Sequence, residues 1–257
     1  MSIIKNTKIL LGNEDSVSPA QLGLFAASDD SFWVKKSDGS CYPIGDSVFT
    51  GGTQSLSTYR NGSGTASADY SSVLGGGNNS ASGLYSVVVG GFCNLSTGTS
   101  SFIGGGCFNS SSNFYSVIVG GERNTNSGYY SSIVGGKCNN VLDTSCFSVI
   151  SGGRCNITCD IFSTISGGYG NLACSPYSTV SNGYCNIANG AYTTVVGGCR
   201  NNTNGMTGSF ILGIGITASM PCTTYVNCLS ITSIPATSSG LCSGMIWNDG
   251  GTLKIVS

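Results

Sequence analysis

The chain has 257 residues, a net charge of −1, no histidine and only 8% charged residues, against about 25% in an ordinary globular domain. A near-neutral chain without a basic stretch does not suit nucleic acid, which calls for a basic patch, so no nucleic-acid partner is expected. No apolar run reaches the ~20 residues of a membrane span, and Met1 to Lys8 lacks the long apolar core of a secretory signal, so no membrane insertion is expected either.

Residues 1–50 read as an N-terminal attachment cap. Phe32-Trp33-Val34-Lys35-Lys36 and Ser40-Cys41-Tyr42-Pro43-Ile44 flank Ser37-Asp38-Gly39, and Asp-Gly between two such runs signals a hairpin. Residues 51–69 are a Gly/Ser/Thr-rich transition.

Residues 70–217 repeat every fifteen residues, the signature of a solenoid. Tyr70-Ser-Ser-Val-Leu-Gly-Gly aligns with Tyr85-Ser-Val-Val-Val-Gly-Gly. The frame returns at Ser100, Tyr115 and Tyr130, slips by two residues to Phe147, and resumes at Phe162, Tyr177 and Tyr192, with a degenerate tenth copy near Gly208. Position 2 is a small hydroxyl throughout, as in Ser86, Ser116 and Ser131, and position 4 a β-branched aliphatic, as in Val88, Ile118, Ile133, Ile150 and Ile165. Two constrained columns two residues apart define the inner face of a strand, because side chains alternate along it. Positions 6 and 7 are Gly-Gly in most copies, position 10 is Asn from Asn79 to Asn201, and position 14 is usually Gly, Asn or Asp. Left-handed corners are therefore expected at the Gly-Gly and near position 14. So short a coil is expected to enclose little beyond columns 2 and 4.

The opposite strand face, positions 1, 3 and 5, carries Tyr70, Tyr85, Tyr115, Tyr130, Val87, Val89, Val117 and Val119. A stripe of that length usually marks an interface, and a bundle of parallel chains, most simply a homotrimer, would bury it. Ten coils at ~4.8 Å each give a rod about 45–50 Å long.

Residues 218–257 form an irregular segment and a second hairpin cap, in which Met245-Ile246-Trp247 and Thr252-Leu-Lys-Ile-Val256 flank Asn248-Asp-Gly-Gly251. The two tryptophans, Trp33 and Trp247, thus sit in matching hairpins at opposite ends. Either each packs its own cap or the hairpins dock to neighbouring proteins.

The repeats Tyr85-Ser-Val-Val-Val-Gly-Gly-Phe-Cys-Asn94 and Tyr130-Ser-Ser-Ile-Val-Gly-Gly-Lys-Cys-Asn139 resemble the head repeats of trimeric autotransporter adhesins. They resemble equally the YadA-head-like repeats of fibre and appendage proteins of phages and large viruses. The end segments around Trp33 and Trp247 also look like terminal segments of phage fibre proteins. The resemblance implies an all-β fold, a left-handed parallel β-roll assembled as a homotrimer. With neither a secretion signal nor a membrane anchor in view, the expectation is a virion tail or appendage fibre. Its ends would bind other virion proteins, and its exposed surface would offer a site for a host-surface glycan or protein. An adhesin-like binding module or an extracellular filament subunit is the alternative.

Thirteen cysteines are the most chemical feature. Cys93 with Cys107, Cys138 with Cys155, and Cys185 with Cys199 are neighbours on successive coils at positions 8 and 9, and Cys159 with Cys174 at position 13. Three readings compete: stacked free thiols acting as small hydrophobes, disulfides, and metal ligation, for which the spacings do not fit zinc. All four pairs are expected to lie close. The offset pairs 93/107 and 185/199 are expected to bond more readily than 159/174, whose Cβ atoms point the same way. No cofactor is expected. Nucleophilic catalysis needs a base beside its Ser or Cys, and a chain without histidine and with few acids in its rod is not expected to be an enzyme. Six glycosylation sequons occur, at Asn61, Asn78, Asn94, Asn109, Asn156 and Asn201, four of them on the repeating position-10 Asn.

Overall fold

The computed structural model describes residues 23–26, 32–35, 41–43, 50–51, 58–59, 64–230, 234–243 and 245–256. Among these every regular element is a strand. The strands are two residues long through most of the rod and pair in parallel with their equivalents one repeat away. Ser72–Val73 pairs with Val87–Val88, which pairs with Phe102–Ile103, and so on. These pairs build twelve strands of a thirteen-stranded face along columns 3 and 4, which Thr50–Gly51 extends by pairing antiparallel with Thr58–Tyr59, and a nine-stranded face from columns 11 and 12. A third line of single bridges runs along position 8, from Gly77 through Phe92, Cys107, Glu122, Lys137, Arg154, Tyr169 and Tyr184 to Cys199. The result is a parallel β-solenoid of about eleven turns.

The turns extend past both expected limits of the rod. Thr58–Tyr59, in the expected transition, already pairs in parallel with Ser72–Val73, and Thr224–Val226 pairs with Phe210–Leu212. The seventeen-residue coil 130–146 keeps register on both faces, Ser132 opposite Val149 and Asn140 opposite Ile157. Its two extra residues enlarge the corner around Asp143, where the Ser145 N–H bonds the Leu142 carbonyl.

Columns 2 and 4 point inward as expected: Ser86, Ser116, Ser131, Val88, Ile118, Ile133, Ile150 and Ile165 are at most 1% exposed. The position-2 hydroxyl has a defined task. Ser116 Oγ donates to the Asn113 carbonyl (2.7 Å) and Ser131 Oγ to the Gly128 carbonyl (2.7 Å), tying each strand to the corner before it. The interior is larger than expected, because columns 10 and 12 are buried too, the latter through Ala81, Ser96, Ser111, Val141 and Ala173.

Column 10 is a continuous asparagine ladder. Asn124 Oδ1 accepts the Asn139 N–H (2.9 Å), while its Nδ2 donates to the carbonyls of Gly120 (3.1 Å) and Gly136 (3.0 Å). The pattern recurs from Asn79 to Asn201, where Oδ1 accepts from Ile216 and the ladder ends. Each rung satisfies backbone groups that a short-stranded corner would otherwise bury unpaired. Sequons Asn94, Asn109, Asn156 and Asn201 are rungs, at most 1% exposed, and so are closed to modification in the folded rod.

The corner expected at the Gly-Gly is present, and the one expected near position 14 is placed differently. Left-handed residues fall at positions 1, 7 and 9, with φ near +55° at Tyr85, Tyr115 and Cys138 and +84° at Gly106. Position 14 is not left-handed in most coils; its glycine serves close approach instead. A Cβ on Gly98 would collide with the backbone of Asn113. At position 7 both constraints meet, since a Cβ on Gly106 would strike the Gly121 carbonyl and stand 2.8 Å from Asn109 Nδ2. Position 6 is open, which is why Asn182 can replace glycine there.

At the N-terminal side, Gly23–Ala26, Phe32–Lys35 and Cys41–Pro43 form an antiparallel three-stranded sheet. The expected 32–44 hairpin is present, with Trp33 opposite Pro43; its turn at 37–39, the Trp33 side chain and the Asn61 sequon lie outside the described residues. The C-terminal hairpin pairs Ile246–Asp249 with Thr252–Ile255 through Gly250 and Gly251, both left-handed. Trp247 there packs under the Lys254 ammonium (5.7 Å), which also pairs with Asp249.

Candidate functional site

The candidate site is the outer surface of the coil, which has two long edges. One comprises positions 14, 15 and 1; the other comprises positions 8 and 9.

Position 1 was expected on the outer strand face with positions 3 and 5. It instead occupies the left-handed corner just before the strand. There Tyr115, Tyr130, Phe147, Phe162, Tyr177 and Tyr192 stack as one unbroken column, centroids 4.6–5.3 Å apart and planes within 8°. Tyr70 and Tyr85 stack likewise (4.7 Å), and Ser100 interrupts the column. A left-handed non-glycine residue costs about 1–2 kcal/mol, and a stacked ring pair contributes about 0.5–1.5 kcal/mol. The ladder thus offsets much of the strain of its own corner. The rings remain open to solvent on one side, 51% exposed at Tyr85 and 64% at Tyr192. Position 5 adds exposed Val89, Val119 and Val134, while Val87 and Val117 at position 3 are half-buried. Burial among Tyr115 and Tyr129 pushes the Tyr130 phenol above its ordinary pKa.

The opposite edge is chemically varied. Columns 8 and 9 hold Phe92, Cys93, Cys107, Phe108, Glu122, Arg123, Lys137, Cys138, Arg154, Cys155, Tyr184, Cys185, Cys199 and Arg200. Glu122 bonds Lys137 on the next coil (2.8 Å) and its neighbour Arg123 (3.1 Å). The Lys137 hydrogen bond holds the Glu122 carboxyl below its usual pKa. Arg123 lies over Phe108 (5.6 Å) and Arg154 over Tyr169 (5.8 Å). The Tyr184 phenol is raised, chiefly by its hydrogen bond to Cys185.

The cysteines divide differently from expectation. Cys159 and Cys174 are disulfide-bonded, Cα–Cα 4.4 Å, whereas Cys93, Cys107, Cys138, Cys155, Cys185 and Cys199 are free. The ranking of the offset pairs above 159/174 is thus reversed. Equal position in adjacent coils brings two Cα atoms to the near limit of the disulfide range. An offset of one places the residues in different columns: Cys107 stands in line with Phe92 rather than Cys93, and Cys199 with Tyr184 rather than Cys185. Cys138 and Cys155 share column 9, because the two extra residues of their coil fall elsewhere.

Among the described residues, no group of three or more His, Cys, Asp or Glu is placed to hold a metal ion. Nor is any helix long and apolar enough to cross a membrane. The buried asparagine ladder was the principal feature missed by sequence reasoning. Columns 10 and 12 lie two apart and hold Asn and mostly small residues, the same signal that marked columns 2 and 4. No protein-family model matches the chain, and no similar protein is found among curated ones.

Proposed function

We propose that the protein is a structural fibre subunit, a rigid rod of three parallel copies that serves as a virion tail or surface appendage in host attachment. In this reading the coil is a left-handed β-roll of the YadA-head-like kind. The terminal hairpins join the rod to other virion proteins, and residues 218–256 offer a non-repetitive surface to a host glycan or protein. The observation that carries the reading is the exposed aromatic column. Stacked rings run along most of a stiff solenoid, interrupted at Ser100 and flanked by Val89, Val119 and Val134, and an apolar stripe of that extent marks an interaction surface. Interior columns closed by repeated hydrogen bonds suit a spacer that bears load along its axis, since each coil is held by its neighbours.

Sedimentation equilibrium tests the assembly: a species of three times 26.1 kDa is expected, and a monodisperse monomer at micromolar concentration overturns it. Immunogold labelling of particles of the encoding virus tests the location. Label on a thin appendage is expected; particles that lack the protein refute the virion assignment.

A further inference from the structure

Charge is segregated on this rod. Among the described residues 64–230, all four cations, Arg123, Lys137, Arg154 and Arg200, lie in columns 8 and 9. Three of the four acids, Asp69, Asp143 and Asp160, lie on the opposite edge at positions 14–15; the fourth, Glu122, is already engaged by Lys137 and Arg123. The heights match as well. Lys137 and Asp143 belong to the same coil, 130–146, and Arg154 and Asp160 to the next, 147–161. The two coils below continue the match, with Phe108 level with Phe114 and Arg123 level with Tyr129. No coil sets like charges on its two edges.

We propose that these edges bind one another between neighbouring copies of this chain, Lys137 of one copy meeting Asp143 of the next, and Arg154 meeting Asp160. The inference rests on the three-copy reading above and names the surface through which the copies meet. In a closed ring of parallel rods, equal coils sit at equal heights, and a head-to-tail contact joins two different patches of the same chain. The strand face of columns 2–5 lies between the two edges. Turning that face, with its exposed valines, to the ring axis brings position 14–1 of each copy against position 8–9 of its neighbour. Both acids are suited to an outside partner. Asp143 Oδ1 accepts the Thr144 N–H (3.0 Å) and Asp160 Oδ1 the Ile161 N–H (2.8 Å), which orients each carboxylate at its corner. The Lys137 side chain is 41% exposed beyond its contact with Glu122, and an ammonium has three donors to share. The aromatic column at position 1 then packs beside Phe92, Phe108, Tyr169 and Tyr184 of the adjacent copy.

The test is a charge swap in the full chain, read by sedimentation velocity across a concentration series. One variant carries Lys137→Glu and Arg154→Glu, a second Asp143→Lys and Asp160→Lys, a third all four changes. The second leaves the Glu122 contacts untouched, so it reports on the edge even if the first disturbs its own coil. Each double variant is expected to raise the half-assembly concentration at least about tenfold, and the quadruple variant to return to within about threefold of wild type. Wild-type oligomers with double variants that assemble equally well would overturn the edge pairing while leaving the three-copy reading intact. So would a quadruple variant no better than the doubles. A monomeric wild type would instead remove the three-copy reading, and this inference with it.

Discussion

Replacing Asn124 by alanine removes one rung from the middle of the buried ladder. Three side-chain hydrogen bonds disappear: one accepted from the Asn139 N–H and two donated to the Gly120 and Gly136 carbonyls. The Gly136 carbonyl keeps the Glu122 N–H (2.9 Å) as a partner. The Asn139 N–H, which is buried, and the Gly120 carbonyl, which is only part-buried, do not keep theirs. A buried group left unsatisfied costs about 1–3 kcal/mol, so the expected loss is about 1–3 kcal/mol, before any cavity contribution. It is read as a lower urea midpoint, or as an early separate transition, since a solenoid can open locally. Asn182→Gly serves as control, because position 6 is open and glycine is its usual occupant; it should stay within about 0.5 kcal/mol of wild type. Asn124→Asp adds a sign. Its carboxylate would keep the Asn139 bond but face two carbonyls with no proton to offer, so its folded pKa rises above the unfolded ~3.9. The variant should be least impaired below that value and lose stability as pH rises through its folded pKa. An Asn124→Ala rod that unfolds with the control would refute the ladder's role in holding the coils.

Ile133→Asp sets a charge at a fully buried column-4 site and should abolish the folded rod at neutral pH, since an unpaired buried charge costs several kcal/mol; far-UV circular dichroism like wild type would contradict the inward assignment. Cys159→Ser opens the bond between residues fifteen apart, and the chain-entropy model predicts a loss of about 3 kcal/mol, to be matched by adding reductant to wild type and unfolding in urea. Glu122 titrates below its ordinary value of 4.5 because Lys137 bonds it, so its contribution is present above that value and fades as pH falls through the lowered folded pKa. An NMR titration should show the lowered midpoint, and Lys137→Met should return it toward 4.5.

The period of fifteen, the parallel stacking and the inward columns 2 and 4 follow from sequence alone, because identical coils in register must repeat every side chain at the same depth. The two hairpin strand pairs were equally legible from Asp-Gly chemistry around 37–39 and 248–251. Three things were decided only by the folded coil. The strand alternation restarts after each left-handed corner, so the inward phase of Asn124 and Asn126 cannot be carried across Gly121 and Arg123 from Ile118. The corners settle at Tyr115 and Arg123 rather than at Asn113, because stacked rings and rung hydrogen bonds compensate a backbone that local propensity alone disfavours. The cysteine pairing does not follow from column identity alone. Cys159 and Cys174 share position 13 and are bonded, whereas Cys138 and Cys155 share position 9, a left-handed corner, and stay free; the repeat frame places both pairs alike, and only the stacked coils distinguish them.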